Sequence, residues 1–223
     1  MKSINGVFNI ATQFSDKFKW GGNIRYGNTD NEVLTSSYTQ NYIASGDQFE
    51  TNKSVGNNSS DNFNGSFRFE WEPSKNTKII FTPSVRYNMN SNEQSSDYIT
   101  TLENPNDSIN WGESYYYSKG DGLNINAGLE MSHKFGKKGS ILSFSLSGGL
   151  NNQDSDGLNL SNTYYRDSRT TDILRNQIFD NKTDSYNWRA FVSYVEPLGR
   201  NNFLQLTYSY RNNYSESDRK TFN

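Results

Sequence analysis

Residues 63–90, FNGSFRFEWEPSKNTKIIFTPSVRYNMN, change character at every second position. In the first arm Phe63, Gly65, Phe67, Phe69 and Trp71 share one phase, and Asn64, Ser66, Arg68, Glu70 and Glu72 the other. After the PSKNT turn, Ile79, Phe81, Pro83, Val85, Tyr87 and Met89 alternate with Lys78, Ile80, Thr82, Ser84, Arg86 and Asn88. Successive side chains of a strand point to opposite faces, so this pattern specifies a long β-hairpin with an oily face and a charged one. The fold turns on which of those faces meets water.

Three more hairpins repeat the design. In the first, at about 3–28, Ile4, Phe8, Ile10 and Phe14 precede the SDK turn, and Phe18, Trp20, Gly22, Ile24 and Tyr26 follow it. At about 122–151, Leu123, Ile125, Ala127, Leu129 and Met131 lead through GKKGS to Leu142, Phe144, Leu146 and Leu150. At about 185–213, Tyr186, Trp188, Ala190, Val192 and Tyr194 lead through EPLGRNN to Leu204, Leu206, Tyr208 and Tyr210. Each arm has roughly the 9–11 residues that cross a bilayer at a tilt. Polar segments at about 29–62, 91–121 and 152–184 read as long loops. Two strands per repeat are too few for a propeller blade, and no per-unit signature recurs.

Composition helps to choose the environment. Only 32% of residues are hydrophobic, yet 15% are aromatic, and the mean hydropathy is −0.92. Disordered chains are polar but poor in aromatics. A membrane β-barrel combines both properties, because one side chain in two meets lipid and the next meets a wet lumen. No apolar run approaches the ~18 residues of a membrane-spanning helix. The opening MKSINGVFNIATQF alternates and has no continuous apolar core, so a secretory signal is expected upstream if the chain is exported. A net charge of −2 suggests no nucleic-acid partner. The absence of cysteine removes thiolate metal sites and disulfides.

Trp20, Trp71 and Phe135 lie in the oily phase near the short turns, and Tyr26, Tyr87 and Trp188 nearer the long segments. Two aromatic belts around aliphatic centres match a wall that crosses two interfaces. Lys17, Lys19, Lys75, Lys78, Lys134, Lys137, Lys138 and Arg200 gather around the short turns. Asp30, Glu32, Asp47, Glu50, Glu93, Asp97, Glu103, Asp107 and Glu113 fall in the long segments. The competing fold is a soluble β-sandwich or carbohydrate-binding module, whose inner face is also oily. A sandwich rarely keeps Arg and Glu in the middle of nearly every strand.

The stretches FSDKFKWGGNIRYGNTDNE, FNGSFRFEWEPSKNTKIIFTPSVRY and SYVEPLGRNNFLQLTYSYRNN resemble the outer-membrane β-barrel family of Bacteroidetes-type bacteria, whose members look like TonB-dependent receptors. The resemblance touches all four hairpins, and order and spacing carry it. It implies a large barrel in the bacterial outer membrane, C-terminal to a plug domain that contacts TonB, and a role in binding and taking up an external ligand. Neither a plug nor a TonB-contacting segment is recognisable in the sequence. The expected fold is therefore all-β, an antiparallel meander of about eight long strands with short periplasmic turns and long extracellular loops. Residues 1–223 are expected to be one internal segment of a larger transmembrane barrel whose remaining strands lie elsewhere in the full-length protein. A structural barrel without transport activity is the further alternative.

Within that expectation Trp20, Phe67, Phe69, Trp71, Phe81, Leu129, Phe144 and Trp188 face lipid or the interface. Arg25, Arg68, Glu70, Arg86, Glu130, Arg189 and Arg211 line the lumen, where they pair across strands or meet a plug or solute. Trp111, Tyr115, Tyr116, Tyr117, Tyr164 and Tyr165 are candidate ligand contacts in the long segments, or continue the strands beyond the membrane. Ile173, Leu174 and Ile178 suggest a short loop helix after Thr171 and Asp172. Pro83 calls for a bulge or a slip of phase, since it cannot donate to a ladder.

No catalytic set, cofactor or metal site is expected. His133 is the only histidine and has no partner histidine or cysteine. DSDG at 154–157 opens like a calcium loop, but its glycine comes early and no distal glutamate is in register. GKKGS joins two strands, with no helix to make it a phosphate loop.

Overall fold

The computed structural model describes residues 1–43, 46–102, 107–136, 139–199 and 202–223. Glu103, Lys137, Lys138 and Arg200 lie outside the described residues. Eight strands follow in order: β1 (Lys2–Ser15), β2 (Phe18–Asn41), β3 (Gln48–Ser74), β4 (Thr77–Leu102), β5 (Ser108–Phe135), β6 (Ser140–Tyr165), β7 (Ile173–Pro197) and β8 (Phe203–Phe222). They make a single antiparallel sheet in chain order, with β1 and β8 at its open edges. The chain is thus an all-β meander, in one layer rather than the two of a sandwich.

Register sorts the side chains. Trp20 stands opposite Phe69, Phe69 opposite Phe81, Phe81 opposite Leu129, Leu129 opposite Leu146 and Leu146 opposite Ala190. Every oily phase of the four hairpins therefore falls on one face of the sheet. Neither face is covered by protein. Phe179 is the most buried large hydrophobic residue described, at 9% exposure, whereas Trp71 is 49% exposed. A chain with so many exposed apolar side chains in one band has no core of its own to hold it.

The short connections have local causes. Ser15 pairs with Phe18 and Ser74 with Thr77, leaving two-residue turns at 16–17 and 75–76. In each, the serine hydroxyl accepts a backbone N–H, from Lys17 at 3.2 Å and from Asn76 at 3.3 Å. The turn at 136–139 places Gly136 and Gly139 at φ of 52° and 83°, where glycine is at ease and other residues are strained.

The three segments expected as long loops are built differently. β2 runs on to Asn41 and β3 starts at Gln48; β4 reaches Leu102, and β6 and β7 extend to Tyr165 and from Ile173. The connections shrink to 42–47, 103–107 and 166–172. Asn, Ser and Gly are poor strand formers in isolation, but an existing ladder on both sides carries them in extended form. Residues 173–178 are likewise strand and not helix: Leu174, Asn176 and Ile178 stand opposite Asn162, Leu160 and Leu158 in period two. At Pro83 there is neither bulge nor slip. The β3–β4 ladder skips from Ser66–Ser84 to Phe69–Phe81 at an unchanged offset, and Pro83 pairs with Ala127 on β5. Losing one donor opens a local gap without rotating any side chain.

At about 3.3 Å per residue, strands of this length reach roughly 85–90 Å, more than twice a hydrocarbon core. The apolar band occupies only the part near the short turns. The rest forms long arms.

Candidate functional site

The polar face near the short turns collects the charged side chains. Arg25, Arg68, Glu70, Arg86, Glu130, Arg189 and Arg211 all lie on it, by register. Glu70 is the hub of one network: Arg68 Nε is 2.7 Å from its Oε1, and Lys78 Nζ is 2.9 Å from its Oε2. Arg86 donates to Asn64 Oδ1 at 2.7 Å. Beside this network lies a hollow of about 710 Å³ over Gly21 and Ala11, bordered by Gln13, Lys19, Arg68 and Glu70. It exists because β1 and β2 present almost no side chain there. An adjoining hollow of about 500 Å³ is lined by Arg25, Asn64, Arg86, Asn124 and Asn126.

Arg189 and Arg211 are set differently. They stand directly opposite one another on β7 and β8. Like charges in that position repel. No acid pairs with either among the described residues, and the Arg189 guanidinium lies 5.9 Å over the Phe191 ring. The pair concentrates positive charge on that part of the polar face. By contrast, Glu70→Ala should lower the urea midpoint of the folded protein by less than about 1 kcal/mol equivalent, because its partners are solvated.

The apolar face presents Trp20, Phe67, Phe69, Trp71, Phe81, Leu129, Phe144 and Trp188 together. Trp20, Phe69 and Phe81 stack in series, with ring centroids 6.2 and 6.1 Å apart, and Trp188 meets Tyr210 at 5.0 Å. His133 closes the short-turn end of this face. Its Nδ1 is 2.8 Å from Thr77 Oγ1, and Phe135 packs edge-on at 4.4 Å. A hydroxyl–imidazole pair was not legible in the sequence, because the two residues meet only through register. It ties the β3–β4 turn to β5, and no carboxylate orients the ring among the described residues.

The six aromatics of the long arms are divided between faces. Trp111 and Tyr164 stack at 5.9 Å on the face that continues the apolar band, and Tyr115 donates its hydroxyl to Glu93 there at 3.0 Å. Tyr117 shares that face. Tyr116 and Tyr165 share the polar face. Two further rings join them that the sequence did not single out, Tyr98 and Phe179. Tyr116 stacks on Phe179 at 6.0 Å, and Phe179 fills the space above Gly157. Tyr98 fills the space above Gly112 and bonds Thr163 Oγ1 at 2.9 Å through its hydroxyl. Asn110, opposite Tyr165, has an amide oxygen shielded from solvent with no hydrogen-bond partner among the described residues.

DSDG lies inside β6. Asp154 stands opposite Asp121 and Lys182, and Asp156 is 3.8 Å from Lys119. An extended strand does not wrap oxygens around an ion, and no acid cluster suited to a metal occurs among the described residues.

No family model matches the chain, and no curated protein does. Among solved structures, the siderophore receptor PiuA from Acinetobacter baumannii is similar at 9% identity and a TM-score of 0.29, over 98% of this chain and 46% of that one. The ferric-catecholate import receptor Fiu from E. coli K12 aligns at 9% identity and a TM-score of 0.26, over 98% and 49%. A bacterial polysaccharide outer-membrane secretin aligns at 8% identity and a TM-score of 0.11, over 99% and 90%. The chain spans about half the length of the two receptors. At these scores the likeness carries no argument, and function has to be read from the chain's own register and residues.

Proposed function

We propose that this chain is the wall and outer arms of a receptor-like bacterial outer-membrane β-barrel that binds and takes up an external ligand. One observation carries the reading: register gathers every oily phase onto one face and every mid-strand charge of the same region onto the other. The oily band on β3 runs from Trp71 to Phe63, about the nine residues that span a hydrocarbon core. Lipid is the cover that such a face lacks, and water fills the other side. The short turns lie in the periplasm and the long arms outside the cell. Further strands and a plug domain of the same full-length protein complete the barrel. The plug contacts TonB, and the Arg68–Glu70–Lys78 network and the Arg189–Arg211 pair form part of its seat.

No covalent chemistry is part of this function. Fractionation of cells expressing the full-length gene should place the protein in the outer membrane. Folded, it should migrate differently on gels before and after heating. Recovery as a soluble periplasmic protein would overturn the reading.

A further inference from the structure

The distribution of charge reverses along the strands. Near the short turns the charges sit on the polar face. On the long arms they move to the opposite face, where Asp61, Glu93, Asp121, Asp154, Asp156 and Lys182 project. The polar face of those arms is left nearly neutral. Among the described residues from about Asn62 outward, only Glu50, Arg175 and Arg219 are charged on it. The rest is mostly Asn, Gln, Ser, Thr and Gly, with Tyr98, Tyr116, Tyr165 and Phe179 among them.

Solubility does not explain this, since charged side chains would keep either face wet. The arms are rich in charge, and the inner surface alone lacks it. The rings there are also held in place: Phe179 and Tyr98 lie over glycines, Tyr98 is pinned through its hydroxyl, and Tyr116 rests on Phe179. Fixed aromatic surfaces offer apolar contact at little entropic cost, and the surrounding amides and hydroxyls both donate and accept. A charged ligand would lose hydration there without gaining a counter-charge. A neutral polyhydroxylated one would match ring against C–H faces and amide against hydroxyl.

We propose that the polar face of the long arms, centred on Tyr98 and on Tyr116 with Phe179 packed beneath it, binds a neutral oligosaccharide. The assignment deepens the receptor reading and rests on it. Calorimetry on the full-length protein in detergent tests it, with neutral gluco-, xylo- and manno-hexasaccharides against hexagalacturonate and a sulfated hexasaccharide. At least one neutral glycan should bind, and the charged ones should bind at least ten-fold more weakly. Tyr116→Ala should weaken the neutral glycan about ten-fold. Tyr115→Ala, one residue away on the opposite face, should leave binding unchanged. Gln94 is exposed and directly opposite Tyr116, so Gln94→Ala is a second variant with little risk to folding, expected to weaken binding several-fold. Binding by none of the neutral glycans, preference for a charged one, or indifference to both Gln94→Ala and Tyr116→Ala would each overturn the proposal. Fractionation of the same cells separates the two readings. Protein found in the outer membrane that binds no neutral glycan defeats only the ligand class, whereas protein absent from that membrane defeats the receptor.

Discussion

On the proposed receptor reading, in which the apolar band faces lipid, Leu129→Arg should destabilise the folded protein by about 2–4 kcal/mol, the cost of an arginine near mid-bilayer. Leu129 stands between Phe81 and Leu146 in the middle of the apolar band, so its replacement has no wet surface within easy reach. Glu130→Gln, one residue along, should change stability by less than about 0.5 kcal/mol. Glu130 points to the other face, between Ile80 and Ser145. Urea titration of the full-length protein in lipid vesicles measures both. Two variants of equal effect would mean that the faces have been assigned wrongly, since they differ by a single step along β5.

Gly157→Val should cost about 1–3 kcal/mol through overpacking. A Cβ at this position would run into the backbone carbonyl of Tyr117 and the ring of Phe179. The carbonyl is fixed in the β5–β6 ladder and cannot give way, and moving the ring would break its stack on Tyr116. Gly56 is the matched control. A Cβ there comes no nearer than 3.8 Å to its neighbours, and valine suits a strand, so Gly56→Val should be neutral or slightly favourable. The urea midpoint reports the first effect, and near-ultraviolet dichroism should show loss of the Tyr116–Phe179 signal only in Gly157→Val. A neutral Gly157→Val would show that the ring does not rest on that backbone.

The hairpins could be read from the chain because an apolar band marks its own phase: Phe67, Phe69 and Trp71 leave no choice of face. The arms could not, because charged residues interrupt the apolar ones in the phase that the hairpins fill with oily side chains. Asn, Ser and Gly then fill much of the polar phase, while the other mixes charges with apolar residues such as Trp111, Leu158 and Leu160, and the hydrophobic periodicity weakens. Charge periodicity did persist. Lys119 and Asp121, Asp154 and Asp156, and Asp180, Lys182 and Asp184 each keep the phase of the oily residues beside them. That signal marks extended strand in 108–121, 152–165 and 173–184. The rings over Gly112 and Gly157 required more. Tyr98 lies one strand away from its glycine and Phe179 likewise, so only cross-strand register brings them together. The same holds for Thr77 with His133 and for Arg189 with Arg211. Which aromatics could share a ligand depended on odd or even position, and that separated Tyr116 from Tyr115 and Tyr117.

Every strand of the sheet touches only the strands before and after it in the chain. Within this sheet no strand waits for a partner from the far end of the chain, so loop closure here is never longer than one connection. The sheet can therefore lengthen by one hairpin at a time, in the order in which the chain is delivered, with the growing edge always offered to the next strand. Damage should spread in the same linear way. A cut within the connection at 103–107 would weaken the β4–β5 seam alone, and the ladders on either side would keep all of their own bonds.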